Sequence, residues 1–318
     1  MSGRIRTVAF LGLGLMGKLM AANVVRAGFV LRSYDINGSG NCRSAEEAAR
    51  GAQVLITMVP DGKAVRRAIL AALPGLGKGA VVIDMSSSDP ATTKMMAAIL
   101  KRRGIHMLDC PVSGAVGKAA DGTLALMAGG DAPVLRRVRP VLAAMGSEIF
   151  HTGGLGSGHA TKALNNYLGA AGTVAGMEAL LIGERFGLNP KTLIDVINAS
   201  TGKNSTTERK IPQQVFTKAF ASGFQLGLMT KDVGIAAQIA KRSRVPAPYL
   251  DRTLAIWRAA RAKMPAGADH TEMYRYLKGL KRPGAAAGRP PLPSRVAGVV
   301  RGRSRHKRRR SSGAAGRR

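Results

Sequence analysis

Residues 7–28 read TVAFLGLGLMGKLMAANVVRAG. Four of the first five are apolar, which suits a buried strand, and the glycines follow at once. Gly12-Leu13-Gly14-Leu15-Met16-Gly17 matches the pattern G-x-G-x-x-G, and a helix over about 15–27 follows it, with Gly28 placed to cap its C-terminal end. A strand, a glycine turn and a helix in this order form the first unit of a dinucleotide-binding fold. Gly12 allows the tight turn, Gly14 lets the backbone approach a pyrophosphate, and Gly17 permits close packing of helix on strand. The helix N-terminus then faces the phosphates. Asp35 ends the second strand 18 residues after Gly17. A carboxylate there accepts both ribose hydroxyls and repels a 2′-phosphate. Ile36 stands where an arginine would favour NADP, so NAD is the expected cofactor and NADP the lesser choice.

Outward from this unit, apolar runs alternate with helical segments through residue 150. Strands are expected at 7–12, 30–35, 54–59, 80–85, 105–110, 123–129 and 148–153, and helices at 15–27, 44–50, 62–72, 91–103 and 131–145. That alternation predicts an α/β fold, a Rossmann-type doubly wound sheet. Near residue 158 the pattern changes to one long Ala/Gly/Leu-rich helix ending at Gly187, and helices follow at 190–199, 208–218, 228–242, 247–263 and 269–279. The expected organisation is a cofactor domain over 1–157 and an all-helical substrate and dimerisation domain over 158–280, joined by the long helix. The glycine-rich GGLGSG at 153–158 reads as a flexible junction between them. Small residues on the long helix, Gly169 to Gly172 with Ala175 and Gly176, read as core packing.

Charge narrows the function less than its size suggests. The 318 residues carry 49 Lys or Arg against 18 Asp or Glu, a net charge of +31. Thirteen of the basic residues, and no acid, fall in 281–318, a Gly/Ala/Pro/Ser/Arg segment expected to be a disordered tail. The rest of the chain still carries +18, which attracts anions of many kinds and does not select nucleic acid. No apolar run reaches the roughly 18–20 residues needed to span a bilayer. Two cysteines, Cys42 and Cys110, imply no disulfide framework and a reducing, cytoplasmic setting. His106, His151, His159 and His270 have no metal-ligand spacing and read as structural or surface residues, and Cys110 as core. No metal is expected.

Two further segments carry chemistry. Ser113-Gly114, after Pro111, leaves a strand end, where open α/β sheets bind ligands. In isolation it is a turn; beside a cofactor, a hydroxyl and free N–H groups suit a carboxylate. In GSGHATKALNNY (156–167), Lys162 and Asn166 lie one helical turn apart on one face. Moving a hydride from a hydroxyl carbon requires a partner for the hydroxyl proton. A lysine serves when desolvation lowers its pKa, although a lone lysine here is ordinarily solvated.

Taken in order, four motifs over residues 5–280 resemble the β-hydroxyacid dehydrogenase family, which includes 3-hydroxyisobutyrate dehydrogenase and tartronate semialdehyde reductase and is related to 6-phosphogluconate dehydrogenase. They are FLGLGLMGKLMAANVVRAG, LDCPVSGAVGKAADGTLALMAGG, GSGHATKALNNYL and LMTKDVGIA (228–236). The resemblance implies an oxidoreductase that passes a hydride between NAD and a short β-hydroxy acid, or reduces the semialdehyde. It implies Lys162 as general acid/base, Asn166 as its substrate-orienting partner, and Ser113 and Gly114 as carboxylate ligands. Lys231 would close over cofactor and substrate with Asp232 in support, and Val59, Pro60 and Ser87 would line the nicotinamide. A homo-oligomer is expected, with no membrane partner and no nucleic acid except through the tail. One departure stands out: Ala115 follows Ser113-Gly114 where the family has a second glycine, a strained choice if that position needs positive φ. Two other readings compete with this one. A nucleic-acid-associated protein on a retired dehydrogenase fold has no need of Lys162. An imine reductase generally departs from lysine at that position.

Overall fold

The structure, a computed structural model, describes residues 4–280. The expected disordered tail, 281–318, lies outside the described residues. The first half alternates β1 (Thr7–Leu11), α1 (Gly17–Arg26), β2 (Val30–Tyr34), α2 (Ala45–Ala49), β3 (Val54–Thr57), α3 (Gly62–Ala72), β4 (Val81–Asp84), α4 (Pro90–Lys101) and β5 (His106–Asp109). It continues through β6 (Val112–Ser113), α5 (Ala115–Asp121), β7 (Ala125–Gly129), α6 (Ala132–Ala143) and β8 (Glu148–Gly153). The sheet order is β2-β1-β3-β4-β5-β7-β6, with β8 also paired to β7. The five strands from β2 to β5 run parallel; β7 is antiparallel to β5 and β6 and parallel to β8.

Every residue of β3 and β4 is buried, as a sheet covered by helices on both faces requires. Val8, Phe10, Ile56, Ile83 and Leu108 pack into the core under α1 and α6; Ala9, Leu11, Leu55 and Val82 pack into a second core with α2, α3 and α4. Successive residues point to opposite faces, so one strand feeds both layers. The chain winds outward from β1 in both directions. The crevice beside the β1 end is therefore the topological switch point where such sheets take ligands.

The remainder is helical: α7 (Ser157–Phe186), α8 (Pro190–Asn198), α9 (Leu226–Arg242), α10 (Pro248–Lys263) and α11 (Met273–Lys278). A separate core gathers Ala170, Met177, Leu180, Ile211, Val233, Trp257 and Met273. Of the small residues of α7 expected in the core, Ala170, Ala171 and Gly176 are buried, and a Cβ on Gly176 would touch Thr206 and Thr207; Gly169 and Gly172 are half-buried and Ala175 is exposed, on the helix faces turned away from that core. The expected fold class therefore stands.

Three local departures have physical causes. The short strand β6 and the seven-residue α5 lie where only a loop was anticipated. Two and seven residues are too few to leave a periodic signal, and Gly117 weakens helical propensity. The helix expected over 208–218 is a π-helical turn at Thr206–Val215; Pro212 within it supplies no N–H, which favours a widened ladder. The junction at 153–158 is not loose. Asp109 accepts hydrogen bonds from the N–H groups of Gly156 (2.7 Å) and His159 (2.8 Å).

Candidate active site

The glycine loop opens from β1. Gly12 has φ 98°, and its N–H donates to the Tyr34 carbonyl at 3.0 Å, so the turn needs a residue without a Cβ. Side chains at Gly12 or Gly17 would collide with the Met58 and Gly12 carbonyls respectively, whereas Gly14 faces open space. That space is the cradle a dinucleotide pyrophosphate requires, bounded by Leu13, Leu15 and Met16 ahead of α1, and the residues fit the cofactor. Asp35 lies beside the loop, its Oδ2 accepting the Leu13 N–H at 2.6 Å and its Oδ1 the Asn37 N–H at 2.8 Å. It sets the loop. Ile36 beyond it is 88% exposed.

The neighbouring strand ends supply the next wall. Val59 N–H donates to Ser86 Oγ at 3.0 Å, linking the β3 and β4 ends. Lys231, on α9, reaches across: its ammonium donates to the Pro60 carbonyl at 2.9 Å and to the Ser87 carbonyl. It also lies 3.2 Å from Asp232 Oδ1. Asp232 is buried and its Oδ2 accepts the Asn166 Nδ2–H at 2.6 Å. One chain of contacts thus runs from the β3 and β4 ends through Lys231 and Asp232 to Asn166.

Lys162 stands one turn before Asn166 on α7. Burial pushes its pKa below the ordinary lysine range and the Lys231 charge adds to that, while Asp232 opposes both. Its ammonium makes no hydrogen bond or salt bridge to a described residue, so its proton is available to a ligand. The second predicted site segment is that of Ser113. Ser113 ends β6, Gly114 has φ 145°, and Ala115 has φ 58°. The position does need positive φ, and alanine holds it at a cost of about 1–2 kcal/mol. Gly223 packs its backbone against this segment: a Cβ there would lie 3.3 Å from Val116 and 3.9 Å from Leu15.

What the sequence left unseen is the foundation of α7. Asp109, fully buried at the end of β5, caps the first turn of α7 from 47 and 50 residues away. A carboxylate at a partly buried helix N-terminus stabilises by up to about 2 kcal/mol. His159 is buried too: its Nδ1 lies 2.8 Å from Thr93 Oγ1 and its Nε2 3.0 Å from the Ser86 carbonyl. Asp84 Oδ2 sits 3.6 Å from the same ring, and Asp84 Oδ1 accepts from Thr57 Oγ1 at 2.9 Å. This polar knot fixes Lys162 relative to the strand ends. Capping by residues distant in sequence leaves no local signal. Cys110 is buried, which pushes its thiol pKa far up and makes it inert core, as read. Among the described residues no cluster of three His, Cys, Asp or Glu could hold a metal, and no helix is long and apolar enough to cross a membrane.

A glycine cradle at a sheet switch point is the mark of a dinucleotide-binding fold, and the desolvated lysine on α7 suits an oxidoreductase. Comparison with known proteins agrees. Residues 7–153 match the NAD binding domain of 6-phosphogluconate dehydrogenase, and residues 156–277 match the NAD-binding domain of NADP-dependent 3-hydroxyisobutyrate dehydrogenase. A probable 3-hydroxyisobutyrate dehydrogenase of Mycobacterium bovis is 37% identical over 283 residues, 84% of this chain and 94% of that protein. The 2-(hydroxymethyl)glutarate dehydrogenase of Eubacterium barkeri is 32% identical over 268 residues, 80% and 89% respectively. The solved 3-hydroxyisobutyrate dehydrogenase of Mycobacterium tuberculosis with L-serine superposes with a TM-score of 0.79 at 35% identity, covering 86% of this chain and 99% of that one. The chain belongs to the β-hydroxyacid dehydrogenase family. It is accordingly an NAD(P)-dependent oxidoreductase of hydroxy acids.

Proposed function

We propose that the chain oxidises a short anionic β-hydroxy acid, or reduces the matching semialdehyde, with NAD preferred and Lys162 as the general acid/base. The observation that carries this reading is the position of Lys162: desolvated, without an ion pair, and one turn from an Asn166 that Asp232 holds at 2.6 Å. When bound, the nicotinamide supplies the hydride acceptor or donor. In oxidation the neutral Lys162 amine takes the hydroxyl proton, and in reduction the ammonium returns it. Asn166, fixed through its Nδ2, presents its carboxamide to the same hydroxyl. Ser113 and the Gly114 backbone hold the carboxylate. Lys231 ties the helical half to Pro60 and Ser87, excluding water from the nicotinamide side. Asp232 locks both Asn166 and Lys231.

NAD rather than NADP follows from the Asp35 carboxylate at the ribose position and from Ile36 beside it. We place residues 1–157 as the cofactor domain and 158–280 as the substrate domain. Leu164, Leu168, Ile182 and Phe186 are exposed along α7 and suit a homodimer. Two unpaired cysteines fit the cytoplasm. The test is a panel of β-hydroxy acids and semialdehydes assayed with NAD and with NADP, using the full chain and its Lys162→Ala variant. Turnover of one panel member that vanishes in the variant supports the reading; equal rates in both proteins contradict it.

A further inference from the structure

Three residues before Lys162, α7 carries a histidine whose side chain has no exposed surface, and the chemistry proposed above makes no use of it. An imidazole is costly to bury unless its ring nitrogens find partners. The partners of His159 come from the sheet half of the chain. Its Nε2 lies 3.0 Å from the Ser86 carbonyl, which can only accept, so Nε2 carries a proton and donates it. Its Nδ1 lies 2.8 Å from Thr93 Oγ1 on α4, and its backbone N–H donates to Asp109 Oδ2 at 2.8 Å. Ring and backbone are both fixed.

Ser86 is the residue that this donation orients. Its N–H donates to Asp84 Oδ1 at 3.0 Å, its Oγ accepts the Val59 N–H at 3.0 Å, and its carbonyl takes His159. The next carbonyl, that of Ser87, takes the Lys231 ammonium, which also holds the Pro60 carbonyl. Consecutive carbonyls after β4 are therefore gripped from the helical half, one by His159 on α7 and one by Lys231 on α9. The grips differ in rigidity. The Lys231 side chain is 23% exposed and its ammonium turns among three acceptors, whereas a buried ring with both nitrogens in contact has one orientation. Asp84 Oδ2 lies 3.6 Å from Nε2 and has no hydrogen bond of its own, so the Nε2 proton offsets two acceptors rather than one.

We propose that His159 is a positioning residue for the nicotinamide. Its Nε2–H, on the Ser86 carbonyl, sets the wall formed by Val59, Pro60 and Ser87, and ties that wall to the helical turn that carries Lys162. This rests on the reading of those three residues as the nicotinamide side. His159 transfers no proton in this role; it orients one peptide unit.

Equilibrium binding of NAD and of ADP-ribose to the full chain tests the role, because ADP-ribose keeps the adenosine and the pyrophosphate and lacks the nicotinamide. The parent protein is expected to bind NAD more tightly. His159→Leu keeps an apolar filling and removes the donor. Its NAD affinity should fall about tenfold, the usual cost of leaving one buried carbonyl unpaired, with ADP-ribose affinity unchanged. His159→Gln keeps an N–H donor at similar reach and should restore NAD affinity. His159→Met replaces the Leu variant if the latter does not fold. In 15N spectra of the parent, Nε2 of His159 should be a protonated nitrogen. An unprotonated Nε2, an NAD affinity untouched by loss of the donor, an equal loss for both ligands, or a loss that glutamine does not reverse would overturn the proposal. Equal affinities in the parent would overturn it too, by removing Ser87 from the nicotinamide side. Neither ligand transfers a hydride without substrate, so the outcome is independent of the hydroxy acid and of Lys162 as acid/base.

Discussion

Asn166 Nδ2 donates to Asp232 Oδ2 at 2.6 Å, and Asp232 Oδ1 lies 3.2 Å from the Lys231 ammonium. One buried carboxylate thereby sets the substrate-orienting amide and the lysine that spans to Pro60 and Ser87. The same carboxylate favours the charged form of Lys162. Replacing it tests position and electrostatics together.

Asp232→Asn removes the negative charge and keeps the shape. Losing a nearby anion lowers the pKa of an ammonium. The inflection in the pH profile of oxidation, where Lys162 becomes neutral, should move to lower pH. A kcat fall of about 10–100-fold should accompany it as Asn166 loses its charged acceptor. A fall in kcat with an unmoved inflection would mean that Asp232 acts on geometry alone.

Asp35, proposed above to bond the ribose diol, fixes Leu13 N–H at 2.6 Å. The double variant Asp35→Ser, Ile36→Arg removes the repulsion of a 2′-phosphate and adds a cation for it. The ratio of kcat/KM for NAD over NADP should fall by about 100-fold or more, since each charged contact contributes about 1.5–3 kcal/mol. Initial rates with both cofactors measure it, and an unchanged ratio would remove Asp35 from cofactor choice.

Ala115 holds φ 58° in the loop after Ser113-Gly114. Ala115→Gly relieves about 1–2 kcal/mol of left-handed strain and gives back about half to one kcal/mol through the freer unfolded chain. A net gain of up to about 1.5 kcal/mol in urea unfolding is expected. Destabilisation would show that the methyl group contributes packing that outweighs its strain.

His270 is buried, which lowers its pKa from 6.5 to about 4, with the Lys210 charge acting in the same direction. The unfolded state therefore binds this proton first as pH falls. Stability should be fully present above pH 6.5 and decline as pH drops towards 4, and the lowered pKa of Asp269 extends the loss further into acid. His270→Gln should flatten the decline between these limits. Thermal midpoints across that range read the effect, and parallel curves for both proteins would exclude it.

The sheet was legible because its signals are local. A buried strand, a glycine turn and an acidic strand end declare themselves within residues 7–35, and β3 and β4 are apolar up to Thr57 and Asp84 at their ends. Lys162 and Asn166 were visible because helical spacing puts them together whatever surrounds them. Asp109 and His159 were not, since their partners arrive from 47 to 73 residues away and only the folded sheet brings them together. The positive φ of Ala115 was readable only as a condition on the turn, because alanine itself gives no sign of left-handed backbone.

The proton carried by Lys162 is the centre of the proposed chemistry. The measurement is the pH dependence of hydroxy-acid oxidation by the full chain, beside NAD affinity and turnover in Lys162→Ala. Because burial lowers the Lys162 pKa, kcat/KM should rise with unit slope and level off below the ordinary lysine range. The variant should lose at least about 100-fold in turnover, the lower bound for a general acid/base, with NAD affinity nearly unchanged. Retained turnover in Lys162→Ala, with the same pH profile as the parent, would contradict it.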